Sequence, residues 1–132
     1  MTTALDSSVL WAIIKKEANA DLWADALRRA SAEGPLVISP IAFAELAPST
    51  ADAAALTTFL GRLSIAYDPI TPAAAHLAGV TFKTYRQAGG PRQHLVTDFL
   101  IAAHAQIQAD RLAALDRGYL REWFPALTLL LP

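Results

Sequence analysis

Short apolar runs alternate along the chain with longer stretches in which apolar residues recur at helical spacing, and this alternation strongly constrains the fold. The short runs predict five strands, at residues 3–5, 36–38, 64–67, 112–115 and 127–131. Strands that alternate with helices form a parallel sheet that helices cover on both faces. Because no repeat or low-complexity linker divides the chain, we expect residues 1–132 to form one α/β domain.

Capping residues indicate where the helices between these strands begin. Ser7 and Ser8 are predicted to cap the first helix, which continues through Ile14. Ser39-Pro40 and Thr71-Pro72 each place a capping hydroxyl before a proline at the first helical position. The later helices are predicted at residues 20–32, 40–46, 52–63, 72–87, 98–109 and 118–123.

Composition argues against several classes of protein. The formal net charge is −1, so any contact with nucleic acid must be local rather than spread over a basic surface. The chain has no cysteine and only three histidines, which argues against disulfides and against a zinc enzyme. The N-terminus lacks the pattern of a signal peptide, and no apolar run approaches the ~20 residues of a membrane span. We therefore expect a soluble, cytoplasmic protein.

Four of the twelve acidic residues lie inside or beside apolar runs, namely Asp6, Glu45, Asp98 and Asp116. Asp6 and Asp116 each follow a predicted strand. Glu45 and Asp98 fall in the first two turns of helices that follow a strand or a loop. Taken singly, each has an ordinary explanation as a helix-start acid or a solvent-facing side chain. Asp116, for example, could pair with Arg117 in a turn.

Taken together, the four acids favour a shared site. In a parallel sheet the carboxyl ends of the strands lie at one edge, so all four side chains can face that edge. Their mutual repulsion would be costly unless a cation lay among them. Oxygen-only ligands suit a hard ion such as Mg²⁺ or Mn²⁺ rather than zinc. Such an ion can activate a bound water and stabilise the charge that develops in phosphoryl chemistry.

Four motifs contain these acids in order, and together they resemble the PIN-domain nuclease family and, within it, the VapC-like toxins. The motifs are LDSSVL from Leu5, ISPIAFAEL from Ile38, TDFLIAAHA from Thr97 and LDRGY from Leu115. The third motif is the most specific match. One motif alone would be a weak signal, but the four in this order span nearly the whole chain.

The resemblance implies a fold and a set of site residues. The fold is a single PIN-like domain, with a short parallel sheet of about five strands in the order 3-2-1-4-5 and helices on both faces. Asp6, Glu45, Asp98 and Asp116 would be the catalytic acids. Asp6, Asp98 and Asp116 would bind Mg²⁺ or Mn²⁺. Ser8 matches a small polar residue that the family often uses near the metal-bound waters.

The resemblance also implies an activity and partners. The activity is that of a metal-dependent endoribonuclease, in which a metal-activated water attacks an RNA phosphodiester in line and no covalent intermediate forms. The implied partners are an RNA substrate, a VapB-like antitoxin and a second copy of the chain in a homodimer. One position departs from the family pattern: Ala114 stands where a threonine or serine is often found.

Several other residues are candidates for binding roles. Arg92 and Arg117 lie nearest the acids in sequence and are the preferred candidates for contacts with RNA phosphates. Ordinary surface charge is the competing explanation for them and for three further candidates, Arg86, His94 and Arg121. Trp11 and Trp23, on the first two helices, suggest a groove for an amphipathic antitoxin segment. His104 lies about 240° around its helix from Asp98 and is predicted to be a core residue.

Two alternative functions compete with this one. An inactive PIN fold that serves as an interaction module is compatible with Ala114 and with the modest net charge. A receiver or phosphatase on a doubly wound sheet fits less well, because no lysine follows Lys83 and Asp6-Ser7-Ser8 lacks a second aspartate. A nucleotide-binding P-loop is absent, since Gly89-Gly90 is not followed by Gly-Lys-Ser/Thr.

Overall fold

Five short parallel strands form the centre of the molecule. A computed structural model describes residues 1–132, and its strands are β1 (Thr3–Leu5), β2 (Leu36–Ile38), β3 (Ile65–Tyr67), β4 (Arg111–Ala113) and β5 (Leu129–Leu130). All neighbouring strands pair in parallel, in the spatial order β3-β2-β1-β4-β5. This confirms the predicted parallel sheet and its strand order. The last two strands end before the predicted residues.

Seven α-helices surround the sheet. They are α1 (Ser7–Ile14), α2 (Ala20–Glu33), α3 (Pro40–Leu46), α4 (Ala53–Arg62), α5 (Pro72–Gln87), α6 (Val96–Gln108) and α7 (Gly118–Trp123). A 3₁₀ turn, Ala47–Ser49, follows α3. Thr71 caps α5 as predicted, because its hydroxyl oxygen accepts the backbone N–H of Ala74 at 3.3 Å. No helix combines the length and the apolar character that crossing a membrane requires.

Besides α4, which begins one residue later than predicted, at Ala53, two helix starts differ from the predictions. Asp6, rather than either of the two serines after it, caps α1: its backbone is extended, and its carboxylate accepts the N–H of Ser8 at 3.3 Å. The other difference is at α6, which begins at Val96 instead of residue 98. Leu95 precedes it in an extended conformation and offers no polar cap, so the usual start signal is missing.

Helices bury the central strand of the sheet, whereas the two edge strands, β3 and β5, remain partly exposed. Every residue of β1 is at most 1% exposed, as expected for a parallel strand covered on both faces. Trp23, Phe99 and Phe124 are the largest fully buried side chains. The burial of Trp23 contradicts the prediction that it lines a partner groove. Its indole fills the core beneath α2 instead.

The strand order creates a crevice at one edge of the sheet. From β1 the chain first adds β2 and β3 on one side, and it later adds β4 and β5 on the other side. The order therefore reverses between β1 and β4, and the backbone N–H of Asp6 donates to the carbonyl of Ala113 there at 2.9 Å. In open α/β sheets, ligands bind outside the carboxyl ends of the strands at such a reversal.

Candidate active site

Asp6 lies at this reversal, directly after β1, and two hydrogen bonds from Ser8 hold its side chain. The backbone N–H and the hydroxyl of Ser8 both donate to Oδ2 of Asp6. The same hydroxyl oxygen accepts the N–H of Leu115, just beyond β4, at 3.2 Å. Ser8 thus links the ends of the two central strands and orients the Asp6 carboxylate between them.

Glu45 projects from α3 and is held by a residue that the sequence analysis had assigned to a different role. Ser7, predicted as a helix cap, donates its hydroxyl to Oε1 of Glu45 at 2.8 Å. The Ser7 hydroxyl is free to do this because Asp6 caps the helix. Adjacent serines in the first motif therefore hold two different acids, Ser8 holding Asp6 and Ser7 holding Glu45.

Asp98 occupies the third position of α6. Its Oδ2 accepts the backbone N–H of Leu95 at 2.9 Å, which fixes the carboxylate over the start of the helix. A carboxylate is favoured there by the partial positive charge of the helix N-terminus. Its side chain is 31% exposed, so it faces the crevice without being shut off from solvent.

Asp116 lies in the loop after β4, with a side chain that is 69% exposed. His94 lies between this residue and Asp98: its Nε2 is 4.0 Å from Oδ2 of Asp116, and its Nδ1 is 3.9 Å from Oδ2 of Asp98. Asp116 makes no ion pair with Arg117, so the ordinary explanation of a paired turn acid is removed. The sequence analysis had weighed His94 only as an RNA contact.

Three of the four carboxylates, those of Asp6, Glu45 and Asp98, interact electrostatically. Burial raises the pKa of Asp6 above its usual value, and the charge of Asp98 raises it further, against the opposing effect of the bonds from Ser8. Burial likewise raises the pKa of Glu45, and the charges of Asp6 and Asp98 add to that rise. No lysine or arginine lies within 4.0 Å of any of the four acids, since only His94 approaches them.

The pKa of Tyr119, on α7, is affected by the same group of charges. Burial is the largest reason that the pKa of its hydroxyl lies well above the usual value, and the nearby carboxylates of all four acids follow as further causes. The hydroxyl therefore stays protonated and remains a hydrogen-bond donor beside the acids. Its place in the fourth motif was noted in the sequence, but nothing there indicated this position.

The donor chemistry of these residues fits a hard divalent cation. The acids supply oxygen ligands only, and none of the four has a lysine or arginine partner. The raised pKa values of Asp6 and Glu45 indicate that negative charge is unfavourable at those two positions. No three His, Cys, Asp or Glu side chains are close enough together to form a ready-made metal site. An ion would therefore have to draw the carboxylates inward from the positions that Ser7, Ser8 and Leu95 give them.

The remaining candidates differ in how deeply they are buried. Arg92 is exposed in the loop between α5 and α6, and Arg117 is half-buried just before α7. His104 is 1% exposed and its Nε2 lies 2.8 Å from Oδ2 of Asp68, so it is the core residue that was predicted. Ala114 is also buried, at 2% exposure.

Comparisons with known proteins agree on one family and one fold. The family model for the PIN domain matches residues 3–122. Similar solved structures include VapBC2 from Rickettsia felis bound to a promoter DNA fragment (23% identity, TM-score 0.72, 98% of this chain and 97% of that chain). A second similar structure is VapBC-1 from nontypeable Haemophilus influenzae, with 19% identity and a TM-score of 0.69 over 98% of this chain and 96% of that chain. A third is a toxin–antitoxin complex from Klebsiella pneumoniae, with 16% identity and a TM-score of 0.66 over 96% of this chain and 95% of that chain. At these identities the likeness is one of fold. Comparison with curated protein sequences finds no match.

Proposed function

The chain belongs to the PIN domain family, and from that premise we propose that it is a divalent-metal-dependent endoribonuclease, the toxin of a bacterial toxin–antitoxin pair. The observation that carries the proposal is the group of four acids at the sheet reversal, which share one electrostatic environment and have no lysine or arginine partner. A protein that needed these acids only for folding would be expected to pair or disperse them.

In this proposal each acid has its own role. Asp6, Asp98 and Asp116 would hold Mg²⁺ or Mn²⁺, and Glu45 would complete the catalytic set. When bound, the ion would lower the pKa of a coordinated water and compensate charge on the phosphate. Ser8 orients Asp6, and Ser7 orients Glu45, so that neither carboxylate has to be ordered when substrate arrives.

Substrate binding would depend on groups around the acids. Arg92 lines a cavity of about 200 Å³ beside His94 and is exposed, so its guanidinium can reach a phosphate of the RNA backbone. Arg117 adjoins Asp116 without pairing with it, which leaves its donors for the same use. The Tyr119 hydroxyl, held protonated, can donate a hydrogen bond to the RNA near the acids.

The proposed partner is a VapB-like antitoxin, which the likeness to VapBC and other toxin–antitoxin structures supports. With Trp23 in the core, the proposed docking groove is one of about 300 Å³ between α1, α2 and the end of α4, which Ile13, Leu27 and Arg62 help to line. Co-purification with the product of a neighbouring gene would test this partner. The accompanying proposal of a homodimer is tested by sedimentation of the purified chain.

The direct test is RNA cleavage by purified protein in Mg²⁺, in Mn²⁺ and in EDTA. We expect cleavage only with metal, and we expect Asp98→Asn to lower its rate by on the order of a hundredfold, because the variant loses a charge aimed at the reacting centre. Asp21→Asn is the matched control, since Asp21 is also a first-turn helix acid but lies on α2. Expression of the parent should slow bacterial growth, and expression of Asp98→Asn should not.

A catalytically inactive interaction module is the second candidate, and Ala114 together with the lack of a preformed metal group favours it. The same assay separates the two. No metal-dependent cleavage of any RNA, by protein that is folded and free of antitoxin, would favour the inactive module.

A further inference from the structure

An aromatic cavity of about 300 Å³ opens next to Asp116. Its walls and rim include Tyr85, His94, Tyr119, Trp123, Gln93 and Glu122. We call it the aromatic cavity. It adjoins the candidate active site directly, because Tyr119 and His94 belong to both.

Contacts between the rings give this cavity a defined shape. The ring of His94 stacks on Tyr119 with centroids 4.0 Å apart, and Trp123 meets Tyr85 edge-on at 5.3 Å. The Tyr85 hydroxyl donates to the carbonyl of Pro91, which holds the loop before α6 against α5. That loop lies so close that a Cβ added to Gly90 would come within 2.5 Å of the Tyr85 ring.

Two polar side chains of the aromatic cavity, one a carboxylate and the other an amide, have no partner within the protein. The carboxylate of Glu122 makes no hydrogen bond or ion pair within the protein, and the amide of Gln93 is also unpaired and exposed. With Asp116 nearby, the cavity is negatively charged. A phosphate would be repelled there, whereas an uncharged ring that offers N–H donors would be stabilised.

The cavity on the other side of His94 carries positive charge, in contrast to the aromatic cavity. The neighbouring cavity of about 200 Å³ is lined by the guanidinium-bearing side chains of Arg86 and Arg92, together with Phe82 and Leu95. One side of His94 therefore suits a phosphate, and the other side suits a flat, uncharged ring. A nucleotide strand presents these two kinds of group in alternation.

We propose that the aromatic cavity binds one unpaired base of the RNA, beside the phosphate that is cut, and that Glu122 selects guanine. This proposal rests on the proposed function. Unpaired bases are recognised by stacking on aromatic rings and by hydrogen bonds to their Watson–Crick edge. Guanine presents two adjacent donors on that edge, N1–H and the 2-amino group, which match the two oxygens of one carboxylate. Uracil presents a single N–H between two carbonyls, which the carboxylate would repel.

The test measures binding without cleavage. The ligands are five RNA pentamers that carry uracil at every position except the central one. The central base is guanine, hypoxanthine (the base of inosine), adenine, cytosine or uracil. Each pentamer is titrated into the full chain in EDTA, and NMR follows the indole N–H signal of Trp123. We expect the guanine pentamer to bind about tenfold more tightly than the all-uracil one and to shift the Trp123 signal. Hypoxanthine lacks the 2-amino group and should fall between them.

Glu122→Gln tests the selecting residue, with Glu17→Gln as the matched control on an exposed residue between α1 and α2. The first should lose most of the guanine preference, and the second should keep it. Equal affinity for all pentamers, a preference for another base, or a guanine preference that survives Glu122→Gln would overturn the proposal. A guanine preference in a protein that cuts no RNA with Mg²⁺ or Mn²⁺ would instead refute the nuclease function and leave the cavity's role intact.

Discussion

The two ends of the central sheet differ in whether their charged side chains have partners of opposite charge. At the amino end, Arg111 donates to the buried hydroxyl of Thr3 at 2.8 Å and pairs with Glu33 at 2.9 Å. Asp110 at the same end accepts the N–H of Thr2 at 2.6 Å. At the carboxyl end, four acids gather and no lysine or arginine pairs with any of them.

This difference is what we expect if the amino end contributes mainly to stability and the carboxyl end binds a ligand, as we propose. The same sheet that satisfies its acids at one end accepts a repulsive group of them at the other. Burial and mutual charge make that group unfavourable in the folded chain, as the raised pKa values of Asp6 and Glu45 indicate. A cation or a basic partner side chain would remove the repulsion, so the carboxyl end is where binding should change stability most.

Breaking the pairing at the amino end should have the largest effect on stability. Arg111→Met leaves the buried Thr3 hydroxyl and the Glu33 carboxylate without their partner, and we expect it to cost about 2 kcal/mol of unfolding free energy, or several degrees in Tm. Cleavage per folded molecule should stay unchanged, because the site lies at the other end. Urea unfolding measures the loss, with the exposed Arg29→Met as control. A loss of activity without a loss of stability would undo the division between the two ends.

Lowering the pH should reduce the repulsion between the acids at the carboxyl end of the metal-free protein and thereby stabilise the fold. The folded-state pKa values of Asp6 and Glu45 lie above their unfolded values near 3.8 and 4.5. The folded state therefore binds protons more readily, and these two groups favour folding as the pH falls from neutral through their raised pKa values. In EDTA, the gain in the urea midpoint between pH 7 and pH 5 should be smaller in Asp6→Asn, which keeps the helix cap, than in the parent. Equal gains would mean that Asp6 is not under this repulsion.

We expect the smallest change in stability when Glu45 loses its hydrogen bond from Ser7. Ser7→Ala removes the hydrogen bond to Glu45 while Ser8 still holds Asp6, and this hydrogen bond is only partly buried. We expect a loss of stability below about 1 kcal/mol, since a typical hydrogen bond contributes no more than that. Cleavage should fall several-fold because the Glu45 carboxylate is less ordered. If cleavage were unaffected, Ser7 would be structural only.

Much of the fold follows from local signals in the sequence. The prediction for α5 was right at both ends, because a capping threonine followed by proline is an unambiguous start. The start of α6 was misplaced, because Leu95 is no polar cap and Asp98 acts from inside the helix instead. Asp6 was likewise overlooked as a cap, since two serines beside it carried the same signal.

For the candidate site, the sequence indicated the acids but not their surroundings. Strand ends are readable from apolar runs, so Asp6 and Asp116 could be assigned to one edge of a parallel sheet. The position of His94 depends on how the loop before α6 packs on Tyr85 and Tyr119, which no local pattern encodes. The burial of Trp23 similarly depends on the packing of α2, and its amphipathic pattern did not reveal which face carries the indole.

We propose above all that the four carboxylates at the carboxyl end repel one another and that a divalent cation relieves this repulsion. The most direct measurement is the Tm of the parent, Asp98→Asn and Asp21→Asn, each in EDTA, in Mn²⁺ and in NaCl of equal ionic strength. An ion that binds only the folded chain adds RT ln(1 + [L]/Kd), about 2.7 kcal/mol at a hundredfold excess over Kd, so Mn²⁺ should raise the parent's Tm by several degrees. NaCl should do much less.

The two variants should change the Tm in different directions. Asp98→Asn should be more stable than the parent in EDTA, because one repelling charge is gone, and it should gain less from Mn²⁺. Asp21→Asn should lose slightly in EDTA, as any first-turn acid would, and should respond to Mn²⁺ like the parent. A general loss of packing cannot produce opposite signs in one variant. If Asp98→Asn were less stable without metal and gained as much from Mn²⁺ as the parent, Asp98 would be a helix-start acid and the site would lie elsewhere.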